Sequence, residues 1–160
     1  MKFLKYFYSK NLTSKLIIIL GFLGLLPFIF GLIDIWINKE NLFFFINLTK
    51  YYGSIILTFL GAVYWGIIIN DNFKNLLCNK IKTYIILWSI VPSFCAILIL
   101  IFNHNITIII LALCFIFVQI VDELVIKYFK FPVWYLLLRR MLTIVVVFIL
   151  LFTYLLIRNV

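Results

Sequence analysis

The fold is decided by the stretch from residue 83 to residue 121, TYIILWSIVPSFCAILILIFNHNITIIILALCFIFVQIV, which contains no Asp, Glu, Lys or Arg. Its 39 residues are nearly twice the roughly 20 helical residues that cross the hydrocarbon core of a bilayer, which is about 30 Å thick. Asn103, His104 and Asn105 interrupt the apolar run at its middle. The stretch therefore predicts two transmembrane helices joined by a tight polar turn.

Three further apolar stretches each fit one span. They are the 18 residues between Lys15 and Asp34, the 20 between Lys50 and Asp71, and the 17 between Arg140 and Arg158. The predicted helices are therefore at about 16–37, 51–70, 83–102, 106–126 and 135–157, within a single transmembrane domain over residues 1–160. The composition agrees, because 67% hydrophobic and 12% charged residues compare with roughly 45–50% and about 25% in soluble domains. We expect an all-α integral membrane bundle of five transmembrane helices.

The basic residues predict the orientation of this bundle. Eleven of the 14 Lys and Arg residues lie on one side, within residues 2–15, 74–82 and 127–140, and three lie on the other, Lys39, Lys50 and Arg158. Because positive residues accumulate on the cytoplasmic side, the N-terminus is predicted to be cytoplasmic and the C-terminus external.

The same charges predict the surroundings of the protein. Residues 1–14 are expected to form a basic interfacial segment on the inner leaflet. The net charge of +9 is interpreted as contact with anionic headgroups, so the expected partners are membrane lipids and no nucleic acid. The expected location is the bacterial inner (cytoplasmic) membrane, or the mitochondrial inner membrane for a eukaryotic chain.

Polar and aromatic residues within the spans gather, on this topology, in the cytoplasmic half of the bilayer. Polar side chains at membrane depth are costly and often mark functional sites. Gln119 and Asp122 share one face of the fourth helix, and Arg139 falls in the first turns of the fifth helix. The predicted ligand or helix-packing cluster comprises Tyr64, Trp65, Ser93, Gln119, Asp122, Tyr135 and Arg139.

Structural roles are the alternatives for these residues. Asp122 is expected either to face the headgroups or to pair with Arg139, whose planar guanidinium can bind a carboxylate at two points. Trp65 belongs either to an interfacial aromatic belt or, because of its depth, to helix packing or a ligand site. In the first helix, Gly24 and Pro27 predict a kink.

Catalytic and metal-binding motifs are missing from the sequence. It contains no HExxH, nucleotide-binding loop, nucleophile elbow or kinase motif. The one histidine, His104, is predicted to lie in an external turn, and Cys78, Cys95 and Cys114 form no CxxC pair. We therefore assign no catalytic residue and expect neither a metal nor a cofactor.

An ordered set of motifs resembles one family over nearly all of the chain beyond residue 20. The motifs are LGLLPF at 23–28, YGSIILTFLGAVYWG at 52–66, WSIVPS at 88–93, Gln119-x-x-Asp122, and Pro132-x-Trp134-Tyr135-x-x-Leu138-Arg139 followed by Met141-Leu142-Thr143. They resemble the small multipass proteins that carry domain of unknown function 3429, which are similar to human transmembrane protein 69. The resemblance implies a membrane family without an established activity. Many members have histidine where this chain has Tyr64, so proton transfer or metal ligation by that histidine would not carry over.

Three functions are compatible with these observations. The leading hypothesis is a non-enzymatic membrane protein whose cluster binds a lipid-like ligand or a partner membrane subunit, which includes a second copy of the chain. The first alternative is a small transporter or channel for a small solute or protons, and the second is a membrane enzyme that acts on lipid or quinone.

Overall fold

The computed structural model describes residues 11–37, 41–69, 79–102, 105–126 and 132–158. Its helices are α1 (Leu12–Leu23), α2 (Leu26–Ile37), α3 (Leu42–Ile69), α4 (Asn79–Ile101), α5 (Thr107–Ile126) and α6 (Val133–Arg158). When α1 and α2 are counted as one span, five spans are long and apolar enough to cross a membrane, and the described residues contain no strand. The predicted all-α bundle of five transmembrane helices is therefore confirmed.

Three features of the sequence prediction lie wholly or partly outside the described residues. These are residues 1–10 of the basic interfacial segment, residues 103–104 of the polar turn, and the basic loops at 70–78 and 127–131. The cytoplasmic N-terminus and external C-terminus stay predictions.

Several helices begin earlier than the apolar stretches predict. α3 begins at Leu42 rather than at 51, α1 at Leu12 rather than at 16, and α4 at Asn79 rather than at 83. A lysine ends an apolar run but leaves the backbone hydrogen bonds of the helix intact, so the helix continues past it. With 28 residues, α3 is about 42 Å long at 1.5 Å per residue, which exceeds the hydrocarbon core of a bilayer.

The first span is broken at Gly24 and Leu25, where the kink was predicted. Pro27 lies in the first turn of α2 and lacks the N–H that would continue the helical hydrogen bonds back to α1. The Tyr52 hydroxyl on α3 donates a hydrogen bond to the carbonyl oxygen of Gly24 at 2.9 Å. A side chain of the neighbouring helix therefore satisfies one of the backbone groups at the break.

The core lies where α2, α3, α5 and α6 meet. α3 packs against α2, α4 and α5, whereas α6 packs against α5, α2 and α1. The largest side chains buried almost completely between them are Phe28, Leu57, Ile108, Leu111 and Leu150. α1 is the helix least embedded in the bundle, because Ile18 is its one buried residue.

Close packing of α3 on α4 depends on a glycine. A Cβ atom at Gly61 would overlap the carbonyl oxygen of Ser89 and would crowd the ring of Pro92. Gly66, five residues later on the same helix, has no heavy atom within 4 Å of its virtual Cβ position. Gly61 therefore sets the distance between the two helices, while Gly66 faces the outside of the bundle.

Candidate functional site

The buried carboxylate of Asp122 connects three helices. It lies near the end of α5, and it accepts hydrogen bonds from the Tyr64 hydroxyl of α3 on Oδ1 and from the Arg139 guanidinium of α6 on Oδ2. The side chains of Asp122 and Arg139 are 7% and 12% exposed, respectively. Two roles were predicted for Asp122, facing the headgroups or pairing with Arg139. In the structure, the carboxylate is buried and pairs with Arg139.

Local sequence explains why these groups meet. α5 and α6 form an antiparallel hairpin, so the last turns of α5 lie beside the first turns of α6. α3 ends at the same end of the bundle and contributes Tyr64 one and a half turns before its last residue, Ile69. We refer to Tyr64, Asp122 and Arg139 as the buried triad.

A second polar row continues the contact between α5 and α6. Thr143 donates to Gln119 Oε1 at 3.2 Å, and Gln119 Nε2 donates to Glu123 Oε1 at 3.2 Å. Glu123 also accepts from Nε of Arg140 at 2.6 Å, in a pair whose side chains are 38% and 51% exposed. Gln119, predicted to belong to the site, is thus a link between helices one turn from the buried triad.

Trp65 and Ser93, also predicted site residues, lie away from the triad. Trp65 is 51% exposed, and its indole N–H donates to the Ser89 hydroxyl on α4. Ser93 lies one turn beyond Ser89, is half-buried, and forms no hydrogen bond to the triad within the described part of the chain. The structure therefore divides the predicted cluster into an interior group and a contact between α3 and α4.

An apolar groove opens beside the buried triad. It has a volume of about 340 Å³ and lies between the first span, α3 and α6, with Phe115 of α5 also in its lining. Apolar side chains and glycines form most of its walls, among them Gly21, Phe28, Phe59, Leu60 and Leu142. Tyr135, Arg139 and Thr143 line it as well, and Arg139 is the one charged residue in this lining.

Tyr135 and Arg139 also line a smaller cavity, as do Leu60 and Val63, which are likewise part of the groove. This cavity has a volume of about 20 Å³, and Tyr64 and Asp122 belong to its lining. Such a volume holds about one water-sized group. Tyr135 and Arg139 therefore border both the apolar groove and the space beside the carboxylate of the triad.

No residue pattern in the sequence predicts the groove. Its walls are ordinary apolar residues of α1, α3 and α6, and a groove between helices depends on how they pack. Gly24, which with Pro27 predicts the kink of the first helix, also lines the groove. Glu123, Arg140 and Thr143 belong to the polar row between α5 and α6 but not to the predicted cluster. No group of three or more His, Cys, Asp or Glu residues that could hold a metal occurs among the residues described.

Comparison with known proteins identifies a family for the chain. A family sequence model described as "Protein of unknown function (DUF3429)" matches residues 13–155. No curated protein matches the chain, and no solved structure does. The similarity to human transmembrane protein 69 stays a prediction.

Proposed function

Because the chain belongs to the DUF3429 family, whose description assigns no activity, its function has to be inferred from the site, and we propose that this multipass membrane protein binds a lipid-like molecule. The apolar part of the ligand occupies the groove between the first span, α3 and α6. Its polar end lies at Tyr135 and Arg139. The observation that carries the proposal is the apolar groove with one charged residue in its lining, next to the buried triad.

The size and lining of the groove support a ligand. Pockets for small molecules measure about 300–1,000 Å³ and are mostly apolar with a few polar groups that fix orientation, and the groove of about 340 Å³ fits this description. α1, which forms one of its walls, has most of its apolar side chains exposed. A lipid could therefore enter from the bilayer through the side of the bundle.

The buried triad supports the groove and is not itself the proposed binding surface. Tyr64 and Asp122 hydrogen-bond to each other in the interior, so their first role is to hold α3 to α5. Arg139 belongs to both the buried triad and the lining of the groove, because it pairs with Asp122 and also lines the groove. The predicted cluster thus contributes to packing through Tyr64 and Asp122 and to ligand contact through Tyr135 and Arg139.

A transporter or channel has less support. Between the triad and the other end of the bundle lies an apolar layer of large, almost completely buried side chains, among them Leu57, Leu111 and Leu150. Buried polar residues follow beyond this layer, at Ser54, Thr107 and Thr153. An ion or polar solute would still have to cross the apolar layer itself, which is costly. Binding at one end of the bundle is therefore favoured over passage through it.

The test compares two adjacent isoleucines of α3. Ile56 lines the groove and is half-buried, whereas Ile55 is 64% exposed on the outside of the bundle. The wild type, Ile56→Trp and Ile55→Trp are purified in native nanodiscs, and the retained lipids are identified by mass spectrometry. We expect wild type and Ile55→Trp to retain the same species. Ile56→Trp should retain at least about fivefold less of it, since overfilling costs on the order of 1–3 kcal/mol.

Other results would contradict the proposal. Equal lipid retention by all three proteins would remove the groove as a binding site. A membrane protein that co-purifies stoichiometrically and is lost only with Ile56→Trp would instead favour a partner subunit.

A further inference from the structure

We propose that the ligand of the groove is a single-chain lipid whose head is a neutral hydrogen-bond acceptor, such as a carbonyl group, bound by Arg139. This inference rests on the proposed function, since it assumes that the groove holds a lipid. It adds the number of chains and the chemistry of the head.

The volume of the groove favours one chain. At about 340 Å³, it is close to the lower limit of about 300 Å³ for small-molecule pockets. Side chains of the first span, α3, α5 and α6 line it, and two of them, Phe28 and Phe115, belong to the buried core. A phospholipid with two acyl chains would need a much wider opening between these helices.

Arg139 supplies donors for the head. A guanidinium has five N–H donors and no acceptor. Within the part of the chain that the structure describes, Asp122 is the one hydrogen-bond partner of Arg139, and Nη2 provides the donor. The Arg139 side chain is 12% exposed and lines the groove, so the other N–H groups of its guanidinium can bind an oxygen atom of a ligand there.

The charge of the site favours a neutral head. Asp122 already neutralises Arg139, and Glu123 pairs with Arg140. An anionic head beside Arg139 would place a second negative charge near the buried carboxylate of Asp122. An uncompensated charge in an apolar environment is costly, whereas a carbonyl oxygen accepts the same hydrogen bonds without adding charge.

The experiment uses competitors with the same chain and different heads. A photoreactive hexadecanamide, with a diazirine in its chain, is added to the protein in lipid nanodiscs, and labelled peptides are mapped by mass spectrometry. The competitors are hexadecanamide, hexadecanoate, hexadecane and a two-chain phosphatidylglycerol. We expect labelling in α1, α3 and α6, with hexadecanamide as the best competitor and the others weaker by about tenfold or more, which corresponds to about 1.4 kcal/mol.

A variant tests the role of Arg139. Arg139→Lys keeps the positive charge for Asp122 but removes the forked donors, and Arg140→Lys makes the same change at the neighbouring exposed pair. We expect hexadecanamide to bind Arg139→Lys more weakly by about twelvefold or more, the range for one lost hydrogen bond to a charged group. Arg140→Lys should bind as the wild type does. If Arg139→Lys does not fold, the competitor series on the wild type still decides the chemistry of the head.

The outcomes separate this inference from the proposed function. Labelling in the groove with hexadecanoate as the equal or better competitor would overturn the neutral head and leave lipid binding in place. Effective competition by phosphatidylglycerol would overturn the single chain. Labelling spread over the outer faces of all helices, and unchanged by Ile56→Trp, would overturn both the inference and the proposed function.

Discussion

Tyr64 and Arg139, on α3 and α6, hydrogen-bond to opposite oxygens of one carboxylate, that of Asp122 on α5. Each helix of this arrangement comes from a different part of the chain, and the partners Tyr64 and Asp122 are 58 residues apart. The contact therefore forms only when α3 and the α5–α6 hairpin are packed together. This makes it the most sensitive point at which to test the fold.

Tyr64→Phe should destabilise the protein by about 1.5–3 kcal/mol, the range for a hydrogen bond to a charged group. The change removes the hydroxyl and keeps the buried ring, so packing is preserved. The free energy of unfolding in mixed micelles, measured by titration with a denaturing detergent, checks the value. Tyr84→Phe is the matched control. Tyr84 is 71% exposed on α4, and the loss of its hydroxyl should change the free energy of unfolding by less than about 0.5 kcal/mol.

Tyr64→His places at this position the residue that the family resemblance suggests. Imidazole has an N–H group that can donate a hydrogen bond to Asp122. Tyr64→His should therefore be more stable than Tyr64→Phe in the same titration. If the two variants unfold at the same detergent concentration, a hydrogen bond from residue 64 to Asp122 does not contribute to the stability of the protein.

The ion pair between Asp122 and Arg139 should show strong coupling in a double-mutant cycle. Asp122→Asn and Arg139→Gln alone each leave a buried charge without its partner, which costs about 3–5 kcal/mol. The double variant removes both charges, so it should be less destabilised than the sum of the two single variants.

The neighbouring pair provides the control cycle. Glu123 and Arg140 are 38% and 51% exposed, and exposed ion pairs contribute about 0–1 kcal/mol. Equal coupling energies in the two cycles would contradict the burial of the triad. Both cycles use the unfolding titration described for Tyr64.

The fold was predictable because the lengths of apolar stretches are set by the thickness of a bilayer. The starts of the helices were less predictable, since residues such as Lys50 lie inside a helix and are buried. A charge in the sequence marks the edge of an apolar run, but the folded chain can cover it with neighbouring helices.

The triad was predictable in part because charged residues within apolar spans need partners. Trp65 does not join Tyr64 at the triad but contacts Ser89 on α4. Consecutive residues of a helix point about 100° apart at 3.6 residues per turn, so Tyr64 faces the interior while Trp65 is half-exposed. The groove could not be predicted, because it depends on the positions of whole helices and its walls have no distinctive chemistry.

Two glycines of α3 should respond oppositely to alanine. Gly61→Ala places a methyl group on the backbone of α4 at Ser89, and such overpacking costs about 1–3 kcal/mol. Gly66→Ala meets open space and should stabilise the helix by up to about 1 kcal/mol, because alanine has the higher helix propensity. The unfolding titration measures both. Equal tolerance of the two substitutions would contradict the close packing of α3 on α4.

The predicted orientation can be tested with reporters fused at points along the chain. Eleven of the 14 basic residues lie on the predicted cytoplasmic side, and this bias sets the orientation of membrane proteins. Alkaline phosphatase, which is active only outside the cytoplasm, should be inactive when fused after residue 75, active after Asn105, inactive after residue 130 and active at the C-terminus. Green fluorescent protein, which fluoresces when it folds in the cytoplasm, should give the opposite pattern.

This series tests α4, α5 and α6 as spans and, separately, the sides of the membrane on which their ends lie. A pattern that alternates with every sign reversed would keep these three spans and place their ends on the opposite sides, so that the groove would open towards the outer leaflet. A pattern in which the fusions after residue 75 and Asn105 agree would instead remove α4 as a span. Because Arg139 lies at the end of the bundle predicted to be cytoplasmic, the first pattern also decides which leaflet supplies the proposed lipid.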